Sequence, residues 1–157
     1  MSELINACLQ DNTELALKLI ENKANLDIQT KNGWTALMES CWNNNTEIAL
    51  KLIENKANLN LQSIDKWTAL MWSCYKNNTE IALKLIENKA NLDLQYNNGE
   101  TALMKSCLNN NIEIALKIIE NKANIDLQDN DGWTALIQSC CVDNTELVSY
   151  ILEYIKA

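Results

Sequence analysis

Apolar residues recur along the chain first in a short helical pattern and then in a longer one. In the stretch that begins at Thr35, Leu37 and Cys41 fall on one face of a helix, and Thr35 itself stands where a threonine caps the first turn. A second stretch, from about Thr46 to Glu54, has apolar residues at the three- and four-residue spacing of a buried helical stripe. The pattern therefore predicts a helix–turn–helix unit.

Polar residues separate these two helices and follow the second one. Asn43, Asn44 and Asn45 interrupt the pattern, because asparagine favours caps and turns over helix interiors. After Asn55 the chain is too polar and irregular to continue as a helix, and it then leads to another Thr-Ala-Leu. The length of this polar segment fits an out-and-back hairpin loop.

The whole unit recurs with a fixed period. Thr-Ala-Leu begins at residues 35, 68, 101 and 134, and Asn-Lys-Ala-Asn at residues 22, 55, 88 and 121, so each step is 33 residues. An N-terminal copy aligns Ser2-Glu-Leu-Ile5 with Thr-Ala-Leu-Met. So short a helix pair buries its apolar face only by stacking on its neighbours, which predicts a solenoid. We therefore expect one all-α domain over residues 1–157, with about five stacked units that start near residues 2, 35, 68, 101 and 134.

The repeat resembles the ankyrin repeat. The similarity lies in Thr35-Ala-Leu-Met-Glu-Ser-Cys41, in Glu47-Ile-Ala-Leu-Lys-Leu-Ile53 and in Ala57-Asn-Leu-Asn60, and it extends over essentially the whole chain. The resemblance implies an ankyrin-repeat solenoid. It also implies that the first helices and the hairpin loops line one concave face, where members of that family bind other proteins.

The chain departs from the ankyrin pattern in two ways. Ala36 and Met38 replace the proline and the histidine of the Thr-Pro-Leu-His signature. A lysine also stands after each second helix, where the family has a glycine, and a lysine is strained at a positive φ. These lysines are Lys23, Lys56, Lys89 and Lys122. We therefore expect modest stability rather than a different fold.

The composition excludes several classes of function. All 13 basic residues are lysines and 21 residues are acidic, so the net charge is −8, which argues against a nucleic-acid partner. The chain has no histidine, which excludes histidine catalysis and histidine-ligated metal sites. No apolar segment is long enough to cross a bilayer. We expect no cofactor, no metal ion and no membrane partner.

The cysteines are predicted to be packing residues. Five of the six recur every 33 residues at the small buried position of the first helix, namely Cys8, Cys41, Cys74, Cys107 and Cys140. Stacked helices lie about 8–10 Å apart, and a disulfide needs Cα atoms within about 7 Å. We therefore expect reduced thiols and a cytoplasmic location. Cys141, outside this series, is the candidate for an accessible thiol.

The acidic residues repeat in phase as well. One glutamate opens each second helix and another closes most of them, which is a framework pattern because a catalytic constellation occurs once. No base partner for a serine or cysteine nucleophile is present, and the loop 126–132 lacks the spacing of a calcium loop. We therefore predict that the chain is not an enzyme. Two alternatives are a regulatory or inhibitory subunit of an enzyme and a small-ligand-binding protein that uses the same groove.

The copies differ most on the first helix and at the hairpin tips. In three aligned blocks, 35–62, 68–95 and 101–128, the drastic differences are Glu39/Trp72/Lys105, Trp42/Tyr75/Leu108 and Asn43/Lys76/Asn109. We predict that these positions lie on the exposed side of the first helix and that the variable surface binds another protein or a peptide. The predicted partner-binding residues are Trp34, Glu39, Trp42, Asn43, Ile64, Asp65, Trp67, Trp72, Tyr75, Lys76, Glu100, Lys105, Leu108 and Trp133.

Two interpretations stay open for the tryptophan that precedes the threonine in three of the copies. Such a residue either packs one hairpin against the next or contacts the partner, and the residues concerned are Trp34, Trp67 and Trp133. Trp42, Trp72 and Tyr75 favour binding, because tryptophan and tyrosine are enriched in interface hot spots.

The last repeat carries a separate prediction. Tyr150 and Tyr154 stand where earlier copies have lysine and asparagine, whereas terminal repeats of a solenoid usually present a polar outer face. We therefore expect weak self-association through the C-terminal repeat.

Overall fold

Over residues 2–157, which the structure describes, this computed structural model consists of ten α-helices in five pairs and has no strand. The first helices of the pairs are α1 (Glu3–Leu9), α3 (Ala36–Trp42), α5 (Ala69–Tyr75), α7 (Ala102–Leu108) and α9 (Ala135–Cys141). The second helices are α2 (Thr13–Glu21), α4 (Thr46–Glu54), α6 (Thr79–Glu87), α8 (Ile112–Glu120) and α10 (Thr145–Lys156). None of the helices in this range combines the length and the apolar character that a bilayer crossing needs.

The predicted caps are present at the start of the helices. The hydroxyl of Thr35 accepts a hydrogen bond from the N–H of Met38 at 3.2 Å, so Thr35 caps α3 as expected. The hydroxyl of Ser2 accepts one from the N–H of Ile5 in the same way, at the position of the N-terminal copy that aligns with Thr35. Asn45 caps α4, and its amide also donates to the hydroxyl of Thr13 in the preceding repeat at 2.8 Å. The cap thus joins neighbouring repeats.

The core runs the length of the stack. Each first helix packs on the first helices of the adjacent repeats, and the second helices do the same, so that α3 lies between α1 and α5. Leu37 and Cys41 on α3, and Ile48 and Leu52 on α4, are at most 1 % exposed. The helical stripes predicted from the sequence therefore form one continuous core.

The cysteines follow the prediction except at the last repeat. Cys8, Cys41, Cys74 and Cys107 are buried and free, and burial raises the pKa of Cys8 to about 11. The core assignment is wrong for Cys140, which is exposed together with Cys141. The reason is that α9 packs on α7 and α10, and no further first helix covers its other side in the described part of the chain.

The lysines after the second helices adopt the left-handed backbone conformation that the family pattern indicated. Their φ angles are 59° at Lys23, 68° at Lys56, 67° at Lys89 and 69° at Lys122. Asn44, in the turn between α3 and α4, has a φ of 57°. These positions are strained for a residue with a Cβ atom.

Hairpin loops connect the helix pairs and stack on one another. The N–H of Ile64 donates to the carbonyl of Asn32 in the preceding hairpin at 3.0 Å. The amide of Gln29 donates to the carbonyl of Gly33 in its own hairpin at 2.8 Å and to that of Gln62 in the next hairpin at 3.0 Å. The hairpins and the first helices together form one surface, here called the hairpin face.

Candidate functional site

Six aromatic side chains from two first helices and three hairpins pack together on the hairpin face. Trp72 on α5 lies between two hairpin tryptophans, with ring centroids 4.9 Å from Trp34 and 4.0 Å from Trp67. Trp42 on α3 stands nearly perpendicular to Trp72 at 5.0 Å. We call this group the aromatic cluster; its members are Trp34, Trp42, Trp67, Trp72, Tyr75 and Tyr96.

Exposure divides the aromatic cluster into an outer and an inner part. Trp42 and Tyr75 are 38 % and 49 % exposed, and their rings are parallel to each other. Trp34, Trp67 and Trp72 are half-buried because they cover one another. Trp67 packs on Tyr96 of the next hairpin and on Trp72, whereas Trp34 packs on Trp42 and Trp72 of the first helices and not on a neighbouring hairpin ring. Their contact with a partner stays a prediction.

Tyr96 is the member of the cluster that sequence reasoning missed. Its ring centroid lies 4.7 Å from that of Trp67. In the other hairpins the same position is a short oxygen-bearing side chain that accepts from the backbone N–H four residues later, as in Thr30 to Trp34, Ser63 to Trp67 and Asp129 to Trp133. The sequence signal that could have identified Tyr96 is the change to tyrosine at a position that is Thr30, Ser63 or Asp129 in the other hairpins.

The prediction that Glu39 lies on the exposed side of its helix is wrong, and Glu100, a predicted partner-binding residue, is buried as well. Glu39 on α3 is 8 % exposed and Glu100 in the hairpin before α7 is 6 % exposed. Glu39 lines a groove together with Trp34 and Trp42. Glu100 is covered by the polar side chains that bind it.

Glu100 is the centre of a buried polar network beside the aromatic cluster. One of its carboxylate oxygens accepts from Lys105 Nζ at 2.7 Å, from Asn98 Nδ2 at 2.5 Å and from the hydroxyl of Tyr96. The other accepts from Gln138 Nε2 at 3.2 Å. Burial raises the pKa of Glu100, but these hydrogen bonds outweigh it and leave the pKa below its usual value. Burial lowers the pKa of Lys105, and the bond to Glu100 raises it above its usual value.

A groove of about 300 Å³ opens at the other end of the aromatic cluster, and we call it the Glu39 groove. Its lining residues are Leu9, Thr30, Asn32, Trp34, Glu39, Trp42 and Asn43. Among residues 2–157, no group of three or more His, Cys, Asp or Glu side chains is placed to hold a metal ion.

The comparison with known families identifies the repeat. A family model described as ankyrin repeats, three copies, matches residues 4–96 and 85–157. The chain belongs to the ankyrin-repeat family. No curated protein matches it. Ankyrin repeats are generally protein–protein interaction modules, and proteins built from them are typically non-enzymatic adaptors.

Other predicted binding residues of this ankyrin-repeat chain are partly engaged within the fold. The amide of Asn43 donates to the carbonyl of Cys8 at 3.0 Å. Lys76 Nζ lies 4.2 Å from the ring centroid of Trp42. Leu108 is half-buried. The members at or near the hairpin tips are open to solvent, with Ile64 66 % exposed, Trp133 42 % exposed and Asp65 also exposed.

The C-terminal ankyrin repeat presents apolar residues other than the predicted ones. Tyr150 and Tyr154 are only partly exposed and pack against the core. The exposed residues are Ile137 on α9 and Leu152 and Ile155 on α10, at 41 %, 41 % and 52 %. Self-association through this end stays a prediction, with these three residues in place of the tyrosines.

Proposed function

We propose that this ankyrin-repeat chain is a non-catalytic binding module and that its partner, a protein or a peptide, binds the hairpin face. The observation that carries the proposal is the aromatic cluster, whose outer members Trp42 and Tyr75 are 38 % and 49 % exposed. Tryptophan and tyrosine supply much of the binding energy in protein interfaces. An exposed group of them is typical of an interaction site.

The packing of the cluster supports this role. Trp42 stands edge-on to both Trp34 and Trp72, so its ring is held before any partner arrives. Lys76 adds a cation over the same ring. Side chains that are already ordered lose little conformational entropy on binding, which favours affinity.

The rest of the proposal concerns chemistry and location. Burial raises the pKa of Cys8 to about 11, so the thiol stays protonated and is a poor nucleophile at neutral pH. Four buried free thiols fit a reducing, cytoplasmic compartment. The net charge of −8 disfavours nucleic acid. Binding to an enzyme as a regulatory or inhibitory subunit would use the same face.

Affinity capture tests the proposal. Three forms of the chain are compared as baits in a lysate of cells that express it: the wild type, a Trp42→Ala/Tyr75→Ala variant and a Leu152→Ala/Ile155→Ala variant. The last removes exposed apolar surface from α10 and serves as the matched control. All three baits are first checked for equal helicity by circular dichroism.

We expect the wild type and the α10 variant to retain the same protein, and the Trp42→Ala/Tyr75→Ala variant to lose it. Loss from the α10 variant alone would place recognition at the C-terminal end. Equal retention by all three forms would exclude the outer part of the aromatic cluster as the recognition surface. Specific retention by none of them would count against a binding module.

A further inference from the structure

Glu39 is a buried carboxylate that the protein leaves without a partner. It is 8 % exposed, and its side chain forms no hydrogen bond or ion pair with residues 2–157. Burial alone raises its pKa above the usual value, with no neighbouring cation to oppose it. A carboxylate that is drawn partly out of water without a partner destabilises a folded protein, and Glu39 meets water only through the groove that it lines. A ligand that supplied the missing positive charge would remove that cost.

The equivalent positions in other repeats make the exception clear. Lys105, two repeats later, pairs with Glu100 at 2.7 Å. Gln138, three repeats later, donates to Glu100 at 3.2 Å and to Asp129 at 3.3 Å. At this position Lys105 and Gln138 hydrogen-bond to carboxylates within the fold, whereas Glu39 forms no such bond in the described part of the chain. Trp72 Nε1 and Gln138 Oε1, at the same position, are buried polar atoms that also lack a partner.

The surroundings of Glu39 suit a cation. Trp34 and Trp42 line the same groove, with ring centroids 6.2 Å apart and ring planes 83° apart, so the groove has two aromatic walls. The groove has a volume of about 300 Å³. An aromatic face attracts a cation within about 6 Å, and a carboxylate forms its strongest hydrogen bonds with charged donors.

We propose that the Glu39 groove binds the cationic head of a lysine or arginine side chain carried by the partner. The positive group forms a charge-assisted hydrogen bond with Glu39, and its carbon stem packs on Trp34 and Trp42. The net charge of −8 attracts a basic segment from a distance. This inference rests on the proposed function, because it names the chemistry that the partner brings to the hairpin face.

Small cationic probes test the groove without the partner. N-acetyl-lysine methylamide and N-acetyl-arginine methylamide are titrated into the isotope-labelled chain, with the norleucine and citrulline analogues as neutral controls. The signals followed are the indole N–H resonances of Trp34 and Trp42. The variants are Glu39→Gln and, as a control of equal charge change, Glu47→Gln, whose side chain is exposed on α4 of the same repeat.

We expect both cationic probes to move the two indole signals and the neutral analogues to leave them in place. The cationic probe that binds more tightly identifies the preferred head group. Glu39→Gln weakens this binding by at least about tenfold, while Glu47→Gln changes it less than about twofold. The unfolding temperature of Glu39→Gln stays equal to or above that of the wild type, because a buried charge has been removed.

Three results would overturn the inference: equal binding of a neutral analogue, unchanged binding by Glu39→Gln, or a lower unfolding temperature of Glu39→Gln. The last would reveal a structural partner of Glu39. If the affinity capture retains a partner but the cationic probes do not move the indole signals, the proposed function stands and this inference is wrong. Probe binding without any captured partner would count against the proposed function and would leave only the affinity of the Glu39 groove for a cation.

Discussion

At the scale of single residues, the lysines after the second helices are a source of strain. Lys89 follows α6 with a φ of 67°, in the left-handed region where a Cβ atom costs about 1 kcal/mol. Its side chain is exposed and takes part in no ion pair among the described residues, so nothing visible compensates. Each repeat with such a lysine is therefore less stable than its packing alone would make it.

Replacing Lys89 with glycine is expected to raise the free energy of unfolding by about 1 kcal/mol. Lys84→Gly, inside α6 of the same repeat, is the matched control, and it is expected to lower that free energy by about 1 kcal/mol because glycine is unfavourable inside a helix. Urea unfolding followed by circular dichroism measures both. A loss of stability in both variants would show that the left-handed position is not strained.

At the scale of elements, Glu100 joins a hairpin to two first helices. Lys105 on α7 and Gln138 on α9 both donate to it, at 2.7 Å and 3.2 Å. A buried ion pair adds little net stability, but removal of one partner leaves the other charge unpaired. The network therefore fixes the position of the hairpin next to the aromatic cluster.

Lys105→Met is expected to lower the free energy of unfolding by about 2 kcal/mol at neutral pH. The wild-type carboxylate has a lowered pKa, so its contribution is present at neutral pH and is lost as the pH falls through that pKa. Without Lys105, burial favours the protonated form of Glu100. The difference in the free energy of unfolding between the wild type and Lys105→Met should therefore become smaller as the pH falls towards about 4.

Urea unfolding at the two pH values measures this difference, with Lys117→Met on α8 as the control for the loss of a lysine that forms no ion pair among the described residues. A difference that is constant with pH would mean that Glu100 does not depend on Lys105 for its charge.

The elements also show what the sequence could predict. The bounds of α4, the cap at Thr35 and the left-handed lysines after the second helices depend on local sequence and were predicted correctly. The burial of Glu39 could not be predicted in this way, because the groove that it lines with Trp34 and Trp42 forms only in the folded stack. The burial of Glu100 depends in the same way on a glutamine from the next repeat.

At the scale of the whole molecule, a uniform framework carries a hairpin face that changes along the stack. Its N-terminal half has the Glu39 groove and the aromatic cluster, and the Glu100 network follows. The framework residues repeat every 33 positions, whereas these features each occur once in the part of the chain that the structure describes. A partner that meets this sequence of features would be held in one register, and the net charge of −8 favours a basic one.

The most direct test of the account is to map the bound partner on the chain. The captured partner is added to the isotope-labelled chain while the indole N–H signals of the five tryptophans and the methyl signals of Leu152 and Ile155 are followed. We expect the signals of Trp34, Trp42 and Trp67 to move and the methyl signals of α10 to stay in place. If the methyl signals of α10 move while the tryptophan indole signals stay in place, the result would contradict binding on the hairpin face.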